Sequence, residues 1–226
     1  MSISRRARLI FLVILACASL FFTDLIDCSG QERISERTLT SQAELFHQFI
    51  RSRRSIRRFK QEHLPLEVIM KIVDDARFAP SAGNRQPWRF IVVHKQELVK
   101  EMNGVVMWLP GCAPAKGEEP TAFIVVLGEK VNCAFAVENL VLSAHAEGIG
   151  SCIVGSVDWS RVKKLLKIPE KEQPFVVVTL GYAMEAAVAE DAAEEIGLRV
   201  WKDGAGKVHV PKKRLREVMS VDGYAF

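Results

Sequence analysis

Three runs of apolar and β-branched residues constrain the fold of this chain more than any other feature. They are FIVVH (90–94), TAFIVVLG (121–128) and PFVVVTLGY (174–182). Runs of this length without polar alternation predict strands that are buried on both faces. A shorter strand is predicted at Ser151–Val154. Because helical patterns separate the runs, the chain is predicted to form an α+β or α/β domain around one sheet.

Five helices are predicted from apolar residues at helical spacing. The first begins at a capping box, Ser41 to Glu44, and the second near Pro65. Two more cover residues 96–103 and 132–147, and Asp158 caps the fifth. The helix at 132–147 is apolar around most of its circumference, so we expect it to lie inside the domain or at a subunit interface. The predicted buried face of the second helix consists of Leu66, Ile69, Val73 and Ala76.

The segments between these elements carry turn signals or charge. Residues 104–120 (GVVMWLPGCAPAKGEEP) are rich in glycine and proline and are expected to be irregular. The stretch 185–195 is acidic and alanine-rich and matches no motif. Residues 198–210 (LRVWKDGAGKVHV) predict two strands around a glycine turn.

The first forty residues differ from the remaining 186, which suit one domain of ordinary size. We expect an N-terminal apolar segment and polar linker over residues 1–40 and a single domain over 41–226. Three arginines precede an apolar run, Leu9–Phe22, as in a signal peptide. Residues 9–26 could instead form a membrane anchor. A third alternative is that this segment is a start-site artefact.

Several common kinds of site have no support in the sequence. No P-loop, HExxH, GxSxG or strand-linked GxGxxG motif occurs. The five cysteines form no CxxC pair, and the five histidines are scattered along the chain. The net charge of +4 is weak evidence for nucleic-acid binding. Neither a metal centre nor a catalytic triad is therefore predicted.

One segment, RSRRSIRRF (51–59), concentrates five arginines in nine residues. In an extended chain Arg53, Ser55 and Arg57 would share one face. Two forked guanidiniums and a hydroxyl suit a phosphate group, with Lys212 and Arg214 as a second cationic wall. A solvated charged surface and a nucleic-acid patch are the alternatives at this stage.

The loop PSAGNRQPW (80–88) groups polar side chains between two prolines. Ser81, Asn84 and Gln86 offer both donors and acceptors, as recognition of a planar heterocycle requires. Gly83 permits an unusual backbone turn. Trp88 opens the following strand and is expected to belong to the core.

Four segments in this order, RRSIRRF, APSAGNRQPWRFIVV, AVENLVLSAHAEGIGSCIVG and FVVVTLGY, resemble the nitroreductase family of FMN flavoproteins. The resemblance covers residues 41–182 and the basic tail. It implies an α+β, three-layer fold with a central, mainly antiparallel sheet flanked by helices. It also implies a homodimer with FMN at the dimer interface.

The same resemblance implies roles for individual residues. Arg53 and Ser55 would hold the FMN phosphate with Arg54 beside them, and Lys212 and Arg214 would complete that site. Arg57 would reach the N1/O2 edge of the flavin, where a cation stabilises developing negative charge. The resemblance implies Asn84 at the pyrimidine edge of the ring, with Pro80, Ser81 and Gln86 lining the same side. Ile153 and Val154 would lie over one face of the ring, and the Gly155 N–H would point at N5.

The activity implied is hydride transfer from NADH or NADPH through flavin N5 to a nitroaromatic, a quinone or a similar small acceptor, in a ping-pong cycle. No catalytic side chain is needed, because the cofactor supplies the chemistry. Dehalogenation or flavin destruction by a related protein, and a non-catalytic FMN-binding module, are the alternatives. The availability of NAD(P)H favours the cytoplasm for the domain, whereas the N-terminal segment resembles one that is exported or anchored in a membrane.

Overall fold

A computed structural model of the protein describes the backbone of residues 36–224 and the side chains of residues 41–224. By its internal contacts the chain divides between Phe49 and Ile50. The sheets and the candidate site described below belong to the second unit. The predicted apolar segment at residues 9–26 lies outside the described residues.

Helix α1 spans Glu36–Ser52. The prediction that this helix begins at the Ser41 capping box is wrong, because residues 36–40 already belong to it. A serine followed three residues later by glutamate also fits a helix interior, where the two side chains lie on one face. The expected linker over residues 29–40 is therefore helical in its last part. Within residues 36–224 no helix is long and apolar enough to cross a membrane.

The central sheet contains four strands in the order β1-β2-β4-β3. All neighbouring strands are antiparallel, so the chain is α+β, as the family resemblance implied. A parallel α/β sheet, the other class that the strand pattern allowed, is excluded. The strands are β1 Arg89–Val93, β2 Ala122–Leu127, β3 Ile149–Val154 and β4 Pro174–Tyr182.

Four helices cover the two faces of this sheet. Alternate residues of β2 serve the two sides: Ile124 packs towards α2 and α4, and Phe123 towards α3 and α5. All six residues of β2 are buried, as expected of a strand between two helical layers. The helices are α2 Leu66–Ala76, α3 Gln96–Asn103, α4 Lys130–Ala146 and α5 Trp159–Leu166.

The buried face of α2 differs in part from the prediction. Ile69, Ile72 and Ala76 are fully buried, whereas Leu66 is 40% exposed. Leu66 is the first residue of the helix, and its side chain points towards the open N-terminal end rather than into the core. The spacing of three and four residues between the buried positions is that of one helical face.

A second, smaller sheet follows the central one. It contains β5 Ala187–Asp191, β6 Trp201–Lys202 and β7 Val208–Lys212, in the order β5-β7-β6. The predicted pair of strands around a glycine turn is confirmed as β6 and β7. Strand β5 pairs in parallel with β7 and was not predicted, because its sequence AVAED has neither a long apolar run nor an apolar–polar alternation.

Polar contacts join the three strands of this small sheet. The Trp201 Nε1–H donates to Glu190 Oε1 at 2.8 Å, and the indole stacks on the His209 ring with centroids 3.9 Å apart. His209 lies between Glu190, at 2.8 Å, and Asp203, at 3.3 Å. The hydrogen bonds that Glu190 and Asp203 accept from the imidazole raise the pKa of His209 above its usual value. Electrostatic contacts therefore replace much of the apolar packing found in the central sheet.

Candidate functional site

The arginine-rich segment lies in extended form beside the central sheet. After α1 ends at Ser52, Ser55 forms a parallel bridge with Ser151 of β3. The Ile56 N–H donates to the Ser151 carbonyl oxygen at 2.9 Å. The prediction of an extended backbone between Arg53 and Arg57 is confirmed, and that backbone is fixed to an edge strand.

Two glycines allow this close approach. A Cβ atom at Gly181 would lie 2.7 Å from the Phe59 ring, and one at Gly150 would lie 3.0 Å from the Ile56 side chain. Phe59 is fully buried. The absence of side chains at both glycines therefore lets the segment pack directly onto β3 and β4.

A cleft of about 770 Å³ lies along the start of the segment. We call it the phosphate cleft, from the role proposed below. Its basic side chains are those of Arg51, Arg53, Arg54 and Lys212, and its acidic ones are those of Glu138, Glu190 and Asp191. Two of these carboxylates lie on β5 and Lys212 lies on β7. The small sheet thus supplies one wall of the cleft and brings Lys212 to it, as predicted.

Arg54 is the most constrained cation in the phosphate cleft. Its guanidinium donates to the carbonyl oxygens of Arg51 and Arg53 at the end of α1, where unpaired helix carbonyls attract a positive charge. Its Nε is buried and has no hydrogen-bond partner within residues 41–224. Burial and the charge of Arg53 lower the pKa of Arg54. A bound anion would offset the repulsion between the two guanidiniums.

Arg214 does not line the phosphate cleft. Its side chain is exposed, and its backbone N–H donates to Glu217 Oε2 at 2.6 Å at the start of a short 3-10 turn, Leu215–Glu217. Of the two predicted C-terminal cations, the described chain brings only Lys212 to this cleft.

His145 lines a pocket beside the arginine-rich segment and was not selected by the sequence analysis. It lies near the end of α4, and its Nε2 is 2.7 Å from the Ser52 Oγ. Burial and the charges of Arg53 and Arg54 lower the pKa of His145, which favours the neutral imidazole. The only sequence signal was a lone histidine in an apolar helix.

Arg57 lines a separate cavity of about 330 Å³, which we call the Arg57 cavity. Its backbone N–H donates to Glu185 Oε1 at 2.7 Å. Arg53 lines the phosphate cleft and an adjoining pocket, whereas Arg57 lines this cavity, so the two arginines face different spaces. Other residues around the Arg57 cavity are Arg58, Cys112, Arg199, Trp201 and Lys202.

Strand β3 presents one apolar side chain outward. Ile153 is 40% exposed in a strand that is otherwise buried. The Val154 side chain, predicted beside it, points into the core under α3 and α5 and is 7% exposed. Gly155 is exposed, with open space where a side chain would lie. Ile153 and the Gly155 backbone are therefore accessible, whereas Val154 offers only its main chain.

The loop after α2 has a constrained backbone. A 3-10 turn covers Ala82–Asn84, and φ is positive at Gly83 (59°), Asn84 (52°) and Gln86 (47°). Positive φ at two non-glycine residues is uncommon and costs free energy that the surrounding contacts must offset. Such geometry is found frequently at ligand-binding positions.

Internal hydrogen bonds hold this shape. The Gln86 N–H donates to Ser81 Oγ at 2.9 Å, and the Gln86 amide donates to Asn84 Oδ1 at 3.1 Å. The Ala82 N–H donates to Asn132 Oδ1, on α4, at 2.9 Å. Asn84 and Gln86 are exposed, as is Pro80, and Ser81 is half-buried. Trp88 is buried in the core, as predicted.

The loop and the arginine-rich segment lie at opposite ends of the domain. Ser151, beside the segment, pairs with Leu180 of β4, whereas Leu127, near the end of the loop, pairs with Pro174. Six residues of strand separate these positions, or about 20 Å. Helix α4 shows the same separation between the loop and the segment. Asn132, near its start, hydrogen-bonds to the loop, and His145, near its end, hydrogen-bonds to Ser52. One chain therefore does not unite the two predicted halves of the site.

Comparisons with known proteins agree on one family. A Methanothermobacter thermautotrophicus protein named "Putative NADH dehydrogenase/NAD(P)H nitroreductase" is 34% identical over 67% of this chain and 85% of its own length. A nitroreductase family protein of Clostridium novyi NT superposes with a TM-score of 0.55 at 27% identity, over 61% of this chain and 84% of that one. Iodotyrosine deiodinase, crystallised with FMN and 3-iodo-L-tyrosine, superposes with a TM-score of 0.50 at 26% identity. The superposition covers 61% of this chain and 89% of the deiodinase chain.

The model of the nitroreductase family matches residues 50–122 and 127–182, more than half of the sequence. These ranges include the arginine-rich segment, the strained loop, strands β1, β3 and β4 and the two end residues of β2. The chain belongs to the nitroreductase family.

Proposed function

We propose that the protein is an FMN-dependent oxidoreductase that uses NADH or NADPH to reduce a small acceptor such as a nitroaromatic or a quinone. The observation that carries the proposal is the phosphate cleft, in which Arg54 Nε is buried without a hydrogen-bond partner among the described residues. When bound, FMN would supply two-electron chemistry at N5, taking a hydride from NAD(P)H and passing two electrons and protons to the acceptor. The FMN-bound deiodinase neighbour supports the choice of flavin.

The residues at the phosphate cleft would bind the terminal phosphate. Arg53 and Lys212 face it from two different elements, the extended segment and β7. Ser55 does not line the cleft, and its side chain contacts Cys152, so its hydroxyl would have to turn towards the phosphate to act as a neutral donor. The terminal nitrogens of Arg54 already donate to backbone carbonyls at the end of α1, so its contribution is its positive charge. Arg214, which is outside the cleft, contributes only if its exposed side chain turns towards it.

The residues beyond Ser55 would surround the ring. Arg57 provides a cation for the negative charge that hydride transfer places on the N1/O2 edge. Ile153 offers an exposed apolar side chain to one face of the ring, and Val154 only its backbone. The accessible N–H of Gly155 is the donor proposed for N5. No side chain of this set needs to exchange a proton, so the residues bind and polarise rather than act as acid or base.

A homodimer would join the two halves of the site. The loop lies at the N-terminal end of α4 and the arginine-rich segment at its C-terminal end. If two copies pack with their α4 helices antiparallel about a two-fold axis, each loop meets the partner's segment. Val131 and Phe135 on α4 are 64% and 48% exposed and suit such an interface. Pro80, Ser81, Asn84 and Gln86 would then contact the flavin held by the other chain.

The proposed donor also favours the cytoplasm as the location of this domain, because NAD(P)H is available there. N-terminal sequencing of the native protein would show whether residues 1–40 are retained. A mature chain that begins after residue 22 would indicate export and count against NAD(P)H as the donor.

Purification tests the main proposal. We expect a yellow dimer with a flavin spectrum, which NADH or NADPH bleaches and a quinone restores, with the parallel-line kinetics of a ping-pong cycle. A colourless protein that takes up no added FMN would contradict the proposal. A yellow protein that NAD(P)H does not bleach would identify a non-catalytic flavin-binding module.

Arg53→Ala tests the phosphate assignment. Loss of a charged hydrogen bond is expected to weaken FMN binding by about 1.5–3 kcal/mol. Lys95→Ala, which removes an exposed cation distant from the phosphate cleft, is the matched control. Titration of the apoprotein with FMN measures the affinity of each variant for FMN. Equal affinities in the two variants would reject the assignment.

Arg57→Ala tests the ring assignment separately. FMN should stay bound while its reduction potential falls, because the cation at N1/O2 is lost. A spectroelectrochemical titration measures the potential. An unchanged potential in the flavin-loaded variant would place Arg57 away from this edge.

Reductive dehalogenation is the second candidate, favoured by the FMN-bound iodotyrosine deiodinase neighbour. The irregular segment 104–120 is short for a lid that encloses a substrate, which favours nitro compounds and quinones instead. Assays with 3-iodo-L-tyrosine and with a quinone decide between the two. Release of iodide without quinone reduction would replace the leading proposal.

A further inference from the structure

The Arg57 cavity has more positive charge than its own carboxylates can balance. Four cations line it: Arg57, Arg58, Arg199 and Lys202. They come from two separate parts of the chain, the arginine-rich segment and the residues that lead into β6. The volume of about 330 Å³ is that of a small-molecule subsite.

Among residues 41–224, two carboxylates pair with these cations. Glu185, whose side chain is 7% exposed, accepts from the Arg57 N–H and lies 3.7 Å from Lys202 Nζ. Glu118 Oε2 lies 3.3 Å from Arg58 Nε. Both carboxylates are thus already in use at this position.

The guanidiniums of Arg57 and Arg199 have no carboxylate partner within residues 41–224. The proposed function assigns Arg57 to the flavin edge. Arg199 is then the cation left without an anion, on the wall of the cavity that the small sheet supplies. A guanidinium presents paired donors that match a carboxylate or a phosphate.

The cavity also lies close to the proposed site of hydride transfer. Arg57 is two residues beyond the bridge between Ser55 and Ser151, and Ile153 is two residues beyond the same bridge on β3. An anion held at Arg199 would therefore belong to a molecule that approaches the ring from the side of the small sheet.

We propose that the Arg57 cavity binds the anionic group of a substrate through Arg199, and so selects anionic over neutral substrates. The inference rests on the proposed function, because it assigns the anion to a molecule that exchanges electrons with FMN. The shared chemistry is a carboxylate or a phosphate, carried either by the acceptor or by the ribose 2′-phosphate of NADPH.

The experiment compares Arg199→Ala with Lys207→Ala in the flavin-loaded, full-length protein. Lys207 is exposed on the turn between β6 and β7, so its loss changes the net charge equally without touching the cavity. The paired substrates are 4-nitrobenzoate with nitrobenzene, and NADPH with NADH. The flavin reduction potential is measured for each variant.

For Arg199→Ala we expect KM to rise roughly 5- to 20-fold for the anionic member of one pair, the range expected for loss of one charged hydrogen bond at a partly exposed site. The KM for nitrobenzene or for NADH should be unaffected, and the flavin reduction potential should not change. An effect on 4-nitrobenzoate identifies the acceptor as the source of the anion, and one on NADPH alone identifies the donor. Equal changes within both pairs, a shifted potential, or the same result in Lys207→Ala would overturn the proposal.

Direct binding separates this inference from the proposed function. Benzoate and inorganic phosphate are titrated by calorimetry into the wild-type protein and both variants, without turnover. Saturable binding of either anion that Arg199→Ala weakens and Lys207→Ala retains supports the anion site even if the protein reduces no acceptor. Failure of both anions to bind wild type, in a protein that turns over neutral acceptors, rejects the anion site and leaves the oxidoreductase proposal standing.

Discussion

The two sheets of this protein are stabilised in different ways. In the central sheet β2 is entirely buried, and its residues pack on helices from both sides. In the small sheet only Val208 and Pro211 are buried, and the strands meet through His209, Trp201 and their carboxylate partners. Because apolar burial stabilises the central sheet, its stability is insensitive to pH. The stability of the small sheet depends instead on the charges of its side chains. The phosphate cleft lies where the small sheet meets the arginine-rich segment.

The largest expected effect is in the central sheet. Phe123→Ala removes a fully buried aromatic side chain from β2 and should lower the free energy of unfolding by about 3–5 kcal/mol. Denaturant unfolding measures this loss of stability. The control is Val200→Ala, at a half-exposed position before β6, which should cost under about 0.5 kcal/mol. A loss below about 1.5 kcal/mol would mean that the central sheet relies less on apolar packing than its burial indicates.

A smaller effect is expected where the segment packs on β4. Gly181→Ala places a methyl group 2.7 Å from the Phe59 ring and should destabilise the fold by about 1–3 kcal/mol. Gly204→Ala is the control, because its added methyl group meets nothing within 4 Å. Equal stability of the two variants would show that the segment can shift without cost.

In the small sheet we expect a local effect. Trp201→Phe keeps a ring over His209 but loses the donor to Glu190. Hydrogen exchange of residues 187–212 should become several-fold faster, while exchange in β2 stays unchanged. If β2 responds equally, the two sheets unfold as one unit and the comparison fails.

The smallest effect is a pH dependence confined to the small sheet. Because Glu190 and Asp203 raise the pKa of His209, its stabilising contribution is complete below about pH 6.5 and is lost as the pH rises through the raised value. The pKa values of Glu190 and Asp203 are lowered, so their contribution is lost on the acid side instead. Hydrogen exchange from about pH 5 to 9, corrected for intrinsic rates, should show protection of residues 187–212 declining at the upper end.

The His209→Gln variant is the control for that experiment. It should remove the decline above neutral pH without changing exchange in the central sheet. A decline that persists in the variant would assign the pH dependence to another group.

Much of the fold was predictable because it follows from local patterns. The run 174–182 coincides with β4, and residues 96–103 coincide with α3. Buried strands and short amphipathic helices need only sequence periodicity to be recognised. Strand β5 was missed, since its five residues end in Glu190 and Asp191 and its pairing with β7 depends on the tertiary structure.

The candidate site was predictable in composition but not in arrangement. The extended segment and the approach of Lys212 to Arg53 follow the prediction, whereas Arg214 lies outside the cleft. The roles of all these residues towards FMN stay predictions. His145 and Arg199 could not be selected, because their neighbours are distant in sequence and a lone residue gives no local signal.

Helix α4 separates the loop from the arginine-rich segment by most of its own length, and this has a genetic consequence in the proposed homodimer. Arg53→Ala and Asn84→Ala would each damage both sites of their own homodimer. In a mixed dimer, however, one site receives both substitutions and the other receives neither. Two impaired variants, unfolded and refolded together, would therefore show more activity at limiting FMN than either variant has alone.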